Sequence, residues 1–192
     1  MPLAKVFPTL GGRVQHNGES KMRIGTVLSA AAIGAMSFAA IAADAFALDQ
    51  KPVLTLEIAN KMADACEAAQ KKAGYRPVNI AIVDDGGNLK LFRRQENAFL
   101  GSAKISQDKA WTSAMFPFST RVVAEISFGK DGQPAPVPGL AFSEGLAPFA
   151  GGLPIMTEGG QHIGAIGVSG ASADEDEQCA QAGIDAVKGM LK

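Results

Sequence analysis

The stretch GAIGVSGASADEDEQCAQAG, residues 164–183, raises the first chemical possibility. Glycines and serines at a strand exit, followed by a helix, are the build of many phosphate-binding loops. A helix N-terminus attracts an anion through its free N–H groups and its dipole. Here Ser172 can cap the helix, and Asp174, Glu175, Asp176 and Glu177 occupy its first turns. Those carboxylates satisfy the dipole and repel a phosphate, and no GxxxxGK[ST] lysine follows the glycines. The stretch reads as a strand, a tight turn and a heavily capped helix. Gly164, Gly167 and Gly170 then recur every third residue, which allows close strand-to-helix packing or the approach of a flat ligand.

Other residues could bind or react. Arg93, Arg94 and Lys109 carry charges able to hold a carboxylate, or could be solvated surface charge. Lys109 sits in a largely apolar helix, where pairing with a carboxylate is expected. His162 is the strongest iron ligand after residue 47, although its position just after a Gly-Gly turn also fits an exposed hairpin histidine. Cys66 and Cys179 fall on predicted helices, as a disulfide or as two buried thiols. A single histidine after residue 47 and no CxxC exclude the usual zinc patterns there. No nucleophile elbow and no Ser/Cys–His–acid spacing is present. Trp111 and Phe116 could line a flat apolar pocket or serve as packing.

The elements that must position these groups begin after a separate N-terminal region. Lys21 and Arg23 precede an uncharged apolar run, Ile24 to Ala43, which ends in Ala45-Phe46-Ala47. This is the pattern of a secretory signal peptide, with cleavage near Ala47 and Met22 as a possible start. Residues 1–47 are therefore expected to be an extension and signal, and residues 48–192 one domain, periplasmic or secreted. The 192 residues are 47% hydrophobic with a net charge of -1, which argues against a nucleic-acid partner.

Within residues 48–192, Thr55 is the expected N-cap of a first helix with Ile58, Met62, Ala65 and Ala69 on its apolar stripe, stopped at Gly74. VNIAIVDDGGNLKLFRR predicts two strands about an Asp84-Asp85-Gly86-Gly87 turn. A second helix capped by Ser102 ends before Pro117, and a short third is capped by Ser119. A Gly/Pro-rich loop follows, with a short strand near residues 140–142. A second hairpin turns at Glu158-Gly159-Gly160-Gln161. A final helix runs from about Ala173 to Leu191, with Ala180, Ile184, Val187 and Leu191 on one stripe. The order α-β-β-α-α-β-β-β-α predicts an α+β domain with helices on an antiparallel sheet.

GGLPIMTEGGQHIGAIGVSG followed by DEQCAQAG resembles the C-terminal signature of the GlcG/HbpS-like family, which includes haem-binding proteins and the C-terminal domain of PduO-type proteins. LTLEIANKMADACEAA resembles the family's first helix, and VNIAIVDDGGNLKLFRR its first hairpin. Arg94, Lys109, Ala110, Thr112 and Thr120 fall where the family carries an arginine, a KAxTA segment and a later threonine. Glu96 and Ser113 depart from the pattern. The resemblance implies a profilin-like fold with a five-stranded antiparallel sheet flanked by helices. It implies a homo-oligomer binding haem or a related tetrapyrrole, or an enzyme or accessory factor acting on a small hydroxy acid or aldehyde. A membrane sensor or transporter is a further implied partner. The residues expected at the ligand are Arg94, Lys109, Thr112, Thr120, Gly164 and Gly167, with His162 as the candidate for metal.

Overall fold

Local signals start and stop the helices where physical chemistry requires it. In the computed structural model, which describes residues 50–192, α1 (Leu56–Ala73) opens on Thr55, whose hydroxyl accepts from the Ile58 N–H at 3.2 Å. It closes on Gly74 at φ 73°, the left-handed conformation that glycine adopts without a Cβ penalty. Residues 1–47, read above as an extension and signal peptide, lie outside the described residues. The strands β1 (Asn79–Asp84) and β2 (Leu89–Arg94) form the first hairpin. At its turn the Asp84 carboxylate accepts from the backbone N–H groups of Gly86 and Asn88, each at 2.9 Å. Slight burial pushes the Asp84 pKa up, but these donors and Lys90 hold it below its ordinary value.

The next elements are α2 (Leu100–Met115), α3 (Thr120–Phe128), β3 (Gly152–Met156), β4 (His162–Ser169) and α4 (Ala173–Val187). The second hairpin turns at residues 158–161 as expected, with the Thr157 N–H donating to the Gln161 carbonyl at 2.9 Å. Ser119 caps α3, and Ser172 forms a reciprocal capping box with Glu175 on α4. Ser102 does not cap α2: the helix starts earlier, after Phe99, and Ser102 is buried within it. The last helix gives way at Lys188–Met190 to a 3-10 turn, short of the expected Leu191.

Among the described residues the sheet is antiparallel and has four strands in the order β2-β1-β4-β3, so the expected fifth strand is corrected. The segment near residues 140–142 forms a 3-10 turn, Pro138–Phe142, instead. Pro138 has no N–H to give to a ladder and its fixed φ suits a first helical turn. Phe142 is 89% exposed there. β3 is thus left at an edge, which is where its Pro154 is tolerated.

Strand alternation divides the sheet into two unlike faces. Ile80, Ile82, Ile155, Ile166 and Val168 point toward α1 and α4 in the main core. Ala81, Val83 and Ala165 point the other way, against Ala110 and Ala114 of α2. Small residues bring α2 very close: a Cβ on Gly167 would lie 2.1 Å from the Ser106 carbonyl oxygen. The close-packing reading of this glycine therefore holds. On the opposite layer, α1 buries Ala59, Met62, Ala63 and Cys66, a stripe rotated from the one expected. The reason is covalent, because Cys66 is disulfide-bonded to Cys179 of α4, with Cα atoms 4.5 Å apart. Gly183 lets the same two helices approach, its Cβ position lying 2.9 Å from the Met62 carbonyl oxygen.

Candidate functional site

Lys109 is drawn inward because α2 lies so close to the sheet, and the long side chain reaches past β4. It is 0% exposed. Its ammonium donates to Asp176 Oδ2 at 2.9 Å and to the Val168 carbonyl at 2.9 Å. The Phe149 ring lies over the same nitrogen, with its centroid 4.7 Å away. Asp176 accepts from the Ala171 N–H through its other oxygen at 3.0 Å. Burial pushes the Lys109 pKa down and the Asp176 pKa up, and each partner offsets part of the other's shift. Gly151 is required beside the pair: a Cβ there would lie 2.6 Å from Lys109 Nζ, and its φ of 125° is one that other residues rarely adopt.

The two threonines are also internal. Thr112 Oγ1 donates to the Asp108 carbonyl at 2.6 Å and accepts from the Ala147 N–H at 3.0 Å, fastening the loop before β3 onto α2. Thr120 Oγ1 accepts from the Gly152 N–H at 2.8 Å, fixing the start of β3. Gly164 and Gly167 are buried on opposite faces of β4, against Val83 of β1 and Ser106 of α2 respectively. Lys109, Thr112, Thr120 and both glycines thus hold α2, α3, β3, β4 and α4 together. Among the residues expected at a ligand, Arg94 is the exposed one and has no hydrogen-bond or ion-pair partner among the described residues. Arg93, its neighbour, points to the other face and pairs with Asp64 and Asn60 of α1.

His162 stands at the start of β4, six residues before Val168, or about 20 Å along the strand. It is therefore remote from the Lys109–Asp176 pair. With Gln50, Lys51 and Gln161 it lines a shallow depression of about 460 Å3. Burial pushes its pKa down, and its Nε2 is buried without a hydrogen-bond partner. Among the described residues no three His, Cys, Asp or Glu side chains gather to hold a metal ion. The acids at the start of α4 are spent on structure: Ser172, Arg121 and Lys109 take up all four.

A solvent-facing apolar surface lies where α2 leaves the sheet uncovered. Pairing places Leu89 opposite Val83, Phe92 opposite Ala81 and Arg94 opposite Asn79, so these three β2 residues share the α2 face. Leu89 is 53% exposed, and Phe92 and Trp111 are partly so. Trp111 packs against Gly87 of the first turn, where a Cβ would come within 3.0 Å of its ring. Val83, Gly87, Leu89, Lys104, Asp108 and Trp111 enclose a trough of about 170 Å3 between α2 and β2. Drug-sized ligand pockets span about 300–1,000 Å3, so this chain alone offers one wall of such a site. Larger depressions at the far end of β2, about 430 and 470 Å3, are lined chiefly by polar residues such as Gln70, Gln95 and Glu96. Arg94 itself lines the second of them.

Sequence reasoning missed Asp176 as the partner of Lys109, because all four acids read equally well as helix caps. It also missed Phe149 and the Leu89–Phe92 wall. A signal for the wall exists in LKLFRR, which is apolar on both faces of a strand and so too apolar for a fully solvated edge.

Comparison with known proteins agrees with this architecture. The family described as "Haem degrading protein HbpS-like" matches residues 54–185. An uncharacterised 15.0 kDa protein from the dhaT–dhaS intergenic region of Citrobacter freundii is 35% identical over 139 residues, covering 71% of this chain and 93% of that protein. Protein GlcG of Escherichia coli K12 is 33% identical over 119 residues, 62% of this chain and 83% of its own. The crystal structure of HbpS superposes with a TM-score of 0.66 at 34% identity, covering 77% of this chain and 99% of that one. The chain belongs to the HbpS-like family.

Proposed function

We propose that this protein binds haem or a closely related tetrapyrrole on the α2–β2 surface, with the second wall supplied by another copy of the chain. The observation that carries the reading is the uncovered Leu89–Phe92–Trp111 surface with Arg94 at its end. Apolar rings suit a macrocycle face, and a guanidinium suits a propionate. The family description and the likeness to HbpS point to the same ligand class. A trough of about 170 Å3 requires a partner surface to enclose such a ligand, which favours a homo-oligomer. No histidine lies in the trough, so Arg94, Trp111, Leu89 and Phe92 are assigned to holding the ring rather than the iron. Function outside the cytoplasm, after removal of residues 1–47, fits the buried Cys66–Cys179 disulfide, since such bonds persist in oxidising compartments.

Haemin titrations of Arg94→Ala and Trp111→Ala test the location. Losing a charge-assisted contact costs about 1.5–3 kcal/mol, so Arg94→Ala is expected to weaken binding roughly ten- to a hundredfold. Wild-type affinity in both variants, with folding confirmed by circular dichroism, places the ligand elsewhere.

A further inference from the structure

The geometry points to a second chemical capability: Lys109 is an amine nucleophile that condenses with a small uncharged aldehyde to form a Schiff base, with Asp176 carrying the proton and Phe149 covering the site. This stands apart from the tetrapyrrole reading and uses a different part of the molecule. Three observations support it. Two of the three Lys109 N–H groups are taken, by Asp176 and Val168, and the remaining side of the nitrogen faces the Phe149 ring rather than a hydrogen-bond acceptor. Phe149 is 41% exposed while Lys109, whose ammonium lies under its ring, is 0% exposed, so the ring stands between the lysine and solvent. The loop that carries it is fastened to α2 at Ala147, so the proposed opening step is a turn of the Phe149 side chain. Rotamer changes of exposed side chains are fast, on the order of picoseconds to nanoseconds.

The chemistry balances without an oxidant or reductant. Lys109 Nζ passes a proton across 2.9 Å to Asp176 Oδ2, leaving an amine and a carboxylic acid. The amine lone pair attacks the carbonyl carbon, the π pair moves to oxygen, and that oxygen takes the proton from Asp176. The carbinolamine hydroxyl then leaves as water with a second proton from nitrogen, passed through Asp176. A protonated imine remains, paired with the aspartate. Burial disfavours the charged form of both partners, which helps the first transfer. An anionic aldehyde would be repelled by Asp176, and a bulky one would not pass beneath the ring.

The test incubates the full chain with propionaldehyde and the small uncharged reductant dimethylamine borane near neutral pH, then maps propylated lysines by peptide mass. The exposed Lys71 and Lys72 serve as internal references. Each unit by which an amine's pKa falls raises its unprotonated fraction about tenfold. With its pKa lowered by burial, Lys109 is expected to be modified faster than Lys71 or Lys72, and faster still in Phe149→Ala, where the cover is gone. Modification of Lys71 and Lys72 with Lys109 untouched, or no faster, in the wild-type protein overturns the proposal whatever the variant does.

Discussion

Replacing Asp176 with asparagine keeps the shape of the side chain but leaves the Lys109 ammonium buried with no counter-charge. Removing one partner of a buried ion pair costs about 3–5 kcal/mol, because the remaining charge is both desolvated and unpaired. Domains are stable by only about 5–15 kcal/mol, so this is a large part of the total. For a domain of this size, at about 2–4 °C per kcal/mol, the midpoint should fall by roughly 6–20 °C in thermal melts followed by circular dichroism. A pH series identifies the cause. In the variant the folded-state pKa of Lys109 lies below its ordinary 10.5, and asparagine offers no compensating charge. Between those values the unfolded chain binds more protons than the folded one, so stability must rise with pH toward 10.5. The double variant Lys109→Met/Asp176→Leu removes both charges and should be more stable than Asp176→Asn alone. A single variant within about 1 kcal/mol of wild type and flat with pH would refute the reasoning, because such a loss is typical of an exposed pair.

Other outcomes follow from the same structure. The Cys66–Cys179 bond closes a separation of 113 residues, and the chain-entropy account puts its contribution near 5 kcal/mol. Cys66→Ala/Cys179→Ala should therefore melt far below wild type, and equal melting temperatures would show the bridge to be absent in solution. Burial holds the His162 pKa below its ordinary 6.5. The unfolded chain then binds the extra proton first, so this group's contribution is present above that value and is lost as pH falls through it. Denaturant midpoints should drop between about pH 7 and 5 in the wild type and drop less in His162→Gln; identical slopes in the two proteins would contradict this.

The elements whose borders rest on local chemistry were legible in the sequence. Thr55, Gly74, Ser119 and the Ser172–Glu175 box mark helix ends through contacts within a few residues. The Asp84–Gly87 turn is local in the same way. What escaped depends on partners far along the chain. The stripe on α1 rotates because Cys66 must meet Cys179, and the periodicity of α1 alone holds no trace of that demand. Pro138 turned an expected strand into a 3-10 turn and removed the fifth strand. The candidate site shows the same division. KAxTA-type residues at Lys109 and Thr112 were visible by resemblance, yet their surroundings depend on Asp176 and Ala147, 67 and 35 residues away. Arg94 and Trp111 were visible as residue types, whereas the trough that Trp111 shares with Leu89 exists only because α2 stops short of β2.

The central claim is that the α2–β2 surface holds a tetrapyrrole between two copies of the chain. Haemin titration of the wild-type protein, followed by Soret absorbance together with light scattering on the same samples, addresses it directly. The account predicts a saturable Soret band at fixed stoichiometry on a species heavier than one chain, lost together with assembly when Leu89→Asp and Phe92→Asp are combined. A monomer with the same saturable band, or an oligomer with none, would contradict it.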